Sequence, residues 1–179
     1  MMKLSILLHT CCAPCSTHVI TELKKDYEIT LFFYNPNVHP EEEYDKRLNE
    51  AGKIAEVLKV SFIEGGYDNK KWLDAVKGYE KNEEGGERCE ICFRNRLEKT
   101  ARLAKEKGFD FFSTTLTVSP YKDAEKVNMI GMVAGEKYDI RFLSKDFKKK
   151  DGYKKSIELS KEHKLYRQHY CGCRFSKQP

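Results

Sequence analysis

Apolar and polar positions change period repeatedly along this chain, and each change marks an element. Residues 4–9 form a short, mainly apolar run, the pattern of a buried strand. Residues 14–23 follow with helical spacing. Residues 29–34 repeat the strand pattern with aromatic and β-branched side chains, and Asn35-Pro36-Asn37 closes it as a turn. Residues 41–58 place Tyr44, Leu48, Ala51, Ala55 and Leu58 on one helical face. Residues 60–63 predict a third strand, stopped by Gly65-Gly66. Residues 70–79 predict a short helix around Trp72 and Val76, and residues 81–88 a charged loop. Residues 89–107 predict a long helix capped by Gly108. Residues 111–118 predict a fourth strand, 123–135 a helix, 138–143 a fifth strand and 153–163 a last helix. Strands alternating with helices predict an α/β fold, a mostly parallel five-stranded sheet with helices on both faces. No repeat or long linker divides the chain, so residues 1–179 read as a single domain.

The seven cysteines change this ordinary picture. They fall in three groups, Cys11-Cys12-Ala13-Pro14-Cys15, Cys89-Glu90-Ile91-Cys92 and Cys171-Gly172-Cys173, and none lies outside them. Cysteines used only as small core residues scatter along apolar faces. Clusters at ligand-like spacing point to metal, redox chemistry or both. The first group follows the first strand and opens a helix, the place where a nucleotide-binding fold carries its phosphate loop. It lacks the glycines of such a loop and any Gly-Lys-Ser/Thr, so ATP use is not supported. The scaffold resembles a nucleotide-hydrolase-like (HUP) fold whose phosphate loop is replaced by cysteines.

Helix N-termini stabilise thiolates, the form that ligates metal and attacks electrophiles. Pro14 suits the first turn of its helix, which brings Cys12 and Cys15 near that terminus. Cys89 and Cys92 open another helix, and a spacing of three puts both on one face. Two such pairs offer four thiolates, which suit either structural zinc or an iron–sulfur cluster. Spacing leaves both open, and the position at the sheet's functional edge favours the cluster. Cys171 and Cys173, one residue apart, can close only a small strained disulfide ring, of the easily reduced, redox-active kind. Further metal ligation is the alternative for this pair.

Charge adds a partner. The chain carries +5 overall, but residues 145–179 hold eleven Lys and Arg against four Asp and Glu. That +7 leaves the rest of the chain at −2. A basic C-terminal segment suggests a polyanion, nucleic acid first, with a solvated lysine-rich helix as the plainer explanation. Residues 148–155 are the candidate for phosphate contact. No stretch can span a membrane and the opening apolar run is too short for a signal peptide, which predicts a cytoplasmic protein. In that reducing compartment, clustered cysteines favour metal or catalysis over structural disulfides.

These motifs together resemble the epoxyqueuosine reductase QueH family. The resemblance runs over nearly the whole chain. It is carried by HTCCAPCS after the first strand, YNPNVHP after the second, YDNKKWL after the third, ERCEICFRNRLEKTA, STTLTVSPYKD after the fourth and YRQHYCGCRFS near the end. It implies the two-electron removal of the epoxide oxygen of epoxyqueuosine in tRNA, giving queuosine and water. It implies a [4Fe-4S] cluster on Cys11, Cys12, Cys89 and Cys92, a redox-active pair at Cys171 and Cys173, and a low-potential electron donor. Cys15 is left for a second iron or a place beside the ligands.

Other residues are weaker candidates. Asp68 is a candidate ligand or proton donor, or a helix N-cap. Asn35 and Asn37 either bind the modified base or shape their turn. Ser119, Tyr121 and Lys122 follow the fourth strand as candidate substrate contacts. His9 reads as a satisfied strand-end histidine, His169 as a proton-transfer candidate or surface residue, and Tyr34 and Trp72 as core rather than stacking platforms. Two competing functions stand beside the reductase: a non-catalytic zinc-binding RNA-interaction module, and a metal-free thiol–disulfide oxidoreductase.

Overall fold

The computed structural model describes residues 3–176; residues 177–179, the end of the basic segment, lie outside the described residues. Five strands form one parallel sheet: β1 (Leu4–Thr10), β2 (Tyr27–Phe33), β3 (Ser61–Glu64), β4 (Phe111–Thr114) and β5 (Arg141–Phe142). The order across the sheet is β3-β2-β1-β4-β5. Six helices connect and cover it: α1 (Ala13–Leu23), α2 (Glu41–Val57), α3 (Asn69–Ala75), α4 (Glu87–Glu106), α5 (Ala124–Tyr138) and α6 (Gly152–Glu162).

The mainly apolar runs follow from burial on both faces. Leu7, Phe32 and Phe112 pack against α4 and α5 through Phe93, Leu97, Ala101, Val127 and Ala134. Their strand neighbours Ile6, Leu8, Ile29 and Leu31 point to the opposite face, where Val19, Ile20 and Leu23 of α1, Ala55 of α2 and Phe147 cover them. No helix among the described residues is long and apolar enough to cross a membrane.

Two sequence-predicted strands are shorter than their apolar runs. Residues 111–118 are not one strand: β4 stops at Thr114 and Leu116–Val118 form a 3-10 turn. The Thr115 N–H makes the last ladder bond, to His9 O at 2.9 Å, and the Leu116 N–H then turns back to donate to Thr114 Oγ1 at 3.1 Å. Residues 138–143 are not one strand either. Helix α5 runs through Tyr138 and ends on Asp139 in the left-handed conformation, leaving only Arg141 and Phe142 to pair with β4.

This order creates the site. The chain winds through β2 and β3 on one side of β1 and through β4 and β5 on the other. The sense of winding reverses between β1 and β4, and parallel sheets bind ligands outside the strand ends at such a point.

Candidate functional site

A cavity of about 790 Å³ opens at the carboxyl edge of the sheet, and six of the seven cysteines line it: Cys11, Cys15, Cys89, Cys92, Cys171 and Cys173. Cys12 lies directly beneath, 1% exposed, with its Sγ 3.8 Å from that of Cys11. All three sequence groups therefore meet in one place. Each arrives on a different support. Cys12 is the N-cap of α1, and Pro14 and Cys15 fill the first turn. Cys89 and Cys92 stand on the first turns of α4, which starts after Gly86.

The tail brings the third group. Arg47 of α2, buried, donates to Cys171 O at 3.0 Å and Tyr170 O at 3.1 Å while its Nε ion-pairs Glu43 at 2.7 Å. Val38 and Cys173 form an antiparallel bridge, and the His39 N–H donates to Gly172 O at 2.8 Å. Gly172 is needed here. Its φ is +108°, and a Cβ would stand 2.9 Å from both Arg47 Nη1 and Val38 Cγ2. Phe175 packs beside Trp72 with ring centroids 6.0 Å apart.

The sulfurs of Cys11, Cys12 and Cys15 all lie within 4.8 Å of one another. Thiolates sharing one zinc-sized ion, each about 2.3 Å away, stand about 3.8 Å apart in a tetrahedron. The triad therefore has the spacing of a shared cation, and Cys89 and Cys92 stand outside that tight group in the same cavity. Hydrogen bonds from the Cys12 and Cys15 thiols, with Lys122 and Arg96 nearby, hold Cys11 well below the usual thiol range despite burial. The same bonds push Cys12 up to about 12 and raise Cys15. Cysteines ligate metal as thiolates, so cation binding there releases protons.

The surroundings suit negative sulfur. Gly85 N–H donates to Cys89 Sγ at 3.2 Å. Burial raises the Cys92 thiol overall; the Arg96 guanidinium opposes this, as does more weakly the buried indole N–H of Trp72, which meets no partner in bonding geometry among the described residues. Arg88 and Arg96 are buried guanidiniums that line the cavity and, among the described residues, bond only neutral acceptors: Arg96 the Cys92 carbonyl at 3.2 Å and Asn35 Oδ1 at 3.4 Å, Arg88 the carbonyls of Tyr79, Glu80 and Asn82. Buried cations call for a counter-charge, and clustered thiolates are the chemistry here that provides one. The donor set thus fits a metal or iron–sulfur group.

Residues 6–179 match the family model of epoxyqueuosine reductase QueH. The chain belongs to this family. It is 41% identical over 175 residues to epoxyqueuosine reductase QueH of Streptococcus pyogenes serotype M1, covering 94% of this chain and 69% of that protein. The QueH of Thermotoga maritima is also 41% identical over 175 residues, covering 96% of this chain and 90% of that protein. Among solved structures, the U34-tRNA thiolase NcsA of Methanococcus maripaludis, determined with its [4Fe-4S] cluster, superposes with a TM-score of 0.61 at 13% identity, covering 99% of this chain and 63% of that one. A predicted tRNA methyltransferase subunit of Methanocaldococcus jannaschii superposes with a TM-score of 0.62 at 16% identity, over 89% of this chain and 75% of that one. At these identities the likeness is one of fold, and it agrees with the α/β scaffold expected from the sequence.

Within this QueH-family chain, Ser119, Tyr121, Lys122, Asn37, Trp72 and His169 all line the cavity. Trp72 is both core and cavity wall. Asn35 is structural: it donates to Thr10 O at 2.9 Å and accepts from Arg96. His9 is buried, bonded to Thr114 Oγ1 at 2.9 Å and Tyr34 O at 3.0 Å, and burial holds it neutral with a pKa of about 4. Asp68 occupies the N-cap position of α3 without capping it, accepts from the Tyr34 hydroxyl at 3.1 Å and stands outside the cavity lining. Sequence reasoning missed Arg47, Arg88 and Arg96. Their signal was present only as arginines on helical faces that also carry apolar residues.

Proposed function

We propose that this chain reduces epoxyqueuosine in tRNA to queuosine in the cysteine-lined cavity. One observation carries the reading: all three cysteine groups converge on a single cavity in a chain of the QueH family. Cys11, Cys12, Cys89 and Cys92, with Cys15 beside them, are the residues that would hold a [4Fe-4S] cluster. Bound there, it supplies low-potential electrons and a Lewis acid for an epoxide oxygen.

The chain's own residues do the rest. The Cys173 thiol donates to Cys171 and, helped by the Ser176 hydroxyl, the Cys173 backbone N–H and Lys122, lowers Cys171 to about 5 against burial. Cys173 is raised by that same bond and by burial, so it keeps its proton. The pair is one thiolate beside one thiol, poised for redox exchange. In the overall step the pair gives two electrons and the Cys173 proton and closes as a disulfide, and the second proton comes from solvent. The epoxide oxygen leaves as water, and the two carbons it bridged become a double bond. A low-potential donor then restores the dithiol. The cations around the cavity, Lys122, Lys126 and Arg167 among them, attract the phosphates that flank the modified nucleotide.

Anaerobic purification with iron, sulfide and zinc analysis, followed by an assay on tRNA bearing epoxyqueuosine, tests the reading. The expected result is a brown, iron-loaded protein that forms queuosine. A colourless protein with stoichiometric zinc supports the zinc-binding RNA module instead, and a metal-free active protein the thiol oxidoreductase. Unchanged iron content and activity in Cys89→Ser would remove that residue from the ligand set.

A further inference from the structure

Two protons must reach the epoxide oxygen before it leaves as water, and the dithiol holds one of them, on Cys173. The other comes from solvent, so it can arrive through a cavity group that is also open to water. Two carboxylates line the cavity, Glu84 and Asp123. Asp123 is committed to the fold: its Oδ1 caps α5, accepting from the N–H groups of Glu125 at 2.9 Å and Lys126 at 3.2 Å. Glu84 is uncommitted. Burial and three neighbouring charges act on its carboxylate, and no hydrogen bond is among those influences.

Those charges place the group. Cys171 belongs to the tail, Lys122 to the segment before α5 and Arg88 to the first turn of α4, and all three line the cavity. Glu84 stands among them, and the residue as a whole is exposed to solvent. The loop that carries it is held in place. The Arg88 guanidinium bonds the carbonyls of Tyr79, Glu80 and Asn82, and the Gly86 N–H closes a turn onto Glu83 O at 3.2 Å. The same neighbours govern its proton. Burial and the Cys171 thiolate raise the carboxyl above its usual range, against the pull of Lys122 and Arg88. Oxidation of the dithiol removes the thiolate, one of the two influences that hold the proton. The carboxyl therefore becomes a stronger acid as the oxygen comes to need a proton.

We propose that Glu84 is the general acid of the reaction: its carboxyl group protonates the epoxide oxygen as the C–O bond breaks, and solvent restores the proton. Sulfur is oxidised and the two epoxide carbons are reduced. Thiolate, thiol, carboxylic acid and epoxide become disulfide, carboxylate, alkene and water, with no net change of charge. The proposal rests on the reductase reading and supplies its proton route.

Glu84→Gln and Glu84→Ala test it, each prepared as iron-loaded holoenzyme with the dithiol reduced. Queuosine formation is followed in single turnover on epoxyqueuosine tRNA across the neutral pH range, beside tRNA affinity. A positioned general acid contributes about 10²–10⁴-fold, so both variants should lose rate by that factor with tRNA affinity unchanged. The wild-type rate should fall as pH rises through the raised Glu84 value, and Glu84→Gln should lack that inflection. Because the residue opens to water, added acetate should restore part of the rate to Glu84→Ala, and less of it as rising pH depletes acetic acid. A Glu84→Gln rate within about threefold of wild type, far short of the general-acid factor, overturns the proposal. So does a loss confined to tRNA affinity, the mark of a carboxylate that only holds substrate, or a loss in Glu84→Ala that acetate leaves untouched. Iron lost in proportion to activity also overturns it, because Glu84 would then serve the metal site. A wild-type enzyme that leaves epoxyqueuosine intact overturns the reductase reading itself; every other outcome is read against an active wild type.

Discussion

Replacing Arg47 by methionine should release the tail that carries the dithiol while leaving the sheet intact. The guanidinium is 2% exposed, donates to the carbonyls of Cys171 and Tyr170, and pairs with Glu43, which also accepts from the Tyr166 hydroxyl at 3.0 Å. Removing one partner of such a buried pair costs about 3–5 kcal/mol. The cost falls on tail docking rather than on the fold. When the tail lifts away, Arg47, Glu43 and both carbonyls return to water, so the open states of variant and wild type differ little. Helix α2 stays anchored by Tyr44, Ala51, Ile54 and Ala55. At about 1.4 kcal/mol per factor of ten, the open fraction should rise about a hundred- to a few-thousand-fold. Alkylation of Cys173, 6% exposed when docked, reads that fraction directly if opening equilibrates before labelling. Lys53→Met, which removes only an exposed partner of Glu50, is the control and should change the rate little. A less than threefold change at Cys173 in Arg47→Met refutes the argument. So does a parallel rise at Cys12, because the tail would then not open as a separate unit.

Three further outcomes follow from the same structure. Tyr121, 80% exposed at the cavity mouth beside Lys122, is placed to stack on a base next to the modified nucleotide, so Tyr121→Ala should raise KM for tRNA about five- to 150-fold and Tyr121→Phe should not. Lys149 and Lys154 are exposed in the basic segment, whereas Lys148 is engaged with Lys122 O and Asp146; replacing Lys149 and Lys154 with Gln should weaken tRNA binding and flatten its salt dependence by about 0.7–0.9 per lost phosphate contact, and an unchanged slope would make them a merely solvated face. Asp110 accepts from the Ser5 N–H at 2.8 Å and the Ser5 hydroxyl at 2.9 Å, which lower its pKa; a depressed carboxyl stabilises the fold above its unfolded value and loses that as pH falls through the folded one, so Asp110→Asn should unfold earlier at neutral pH, with a gap that starts to narrow only below about pH 4 and closes as pH falls through the folded value, and a gap that does not narrow on acidification would contradict the assignment.

What the sequence reveals about this protein divides along the range of the interactions concerned. The strands of the sheet centre are legible because a residue buried on both faces leaves its mark locally: Leu7 and Leu8 face opposite layers, and both must be apolar. The end of β4 is not legible. Thr115, Thr117 and Val118 suit a strand by propensity, but the Leu116 N–H turns back to Thr114 Oγ1, the Val118 N–H to Thr115 O, and the Thr117 hydroxyl reaches Lys145 O, 28 positions later in the chain. The cysteine groups are legible as chemistry because ligand spacing and helix N-termini are local facts. Their union is not. Cys171 is held by Arg47, 124 positions away, and nothing in either neighbourhood announces the other. The triad of Cys11, Cys12 and Cys15 makes the same point at short range. Spacing alone leaves Cys15 without a partner, but the extended N-cap at Cys12 and the first turn of α1 fold its sulfur back to within 4.8 Å of the other two. The asparagines of the turn show the limit most sharply. Asn35 and Asn37 are equivalent as sequence, both polar and both flanking Pro36. Only the packed structure shows that one is bonded at both ends of its amide, to Thr10 O and Arg96, and that the other is buried with its acceptor unmet among the described residues.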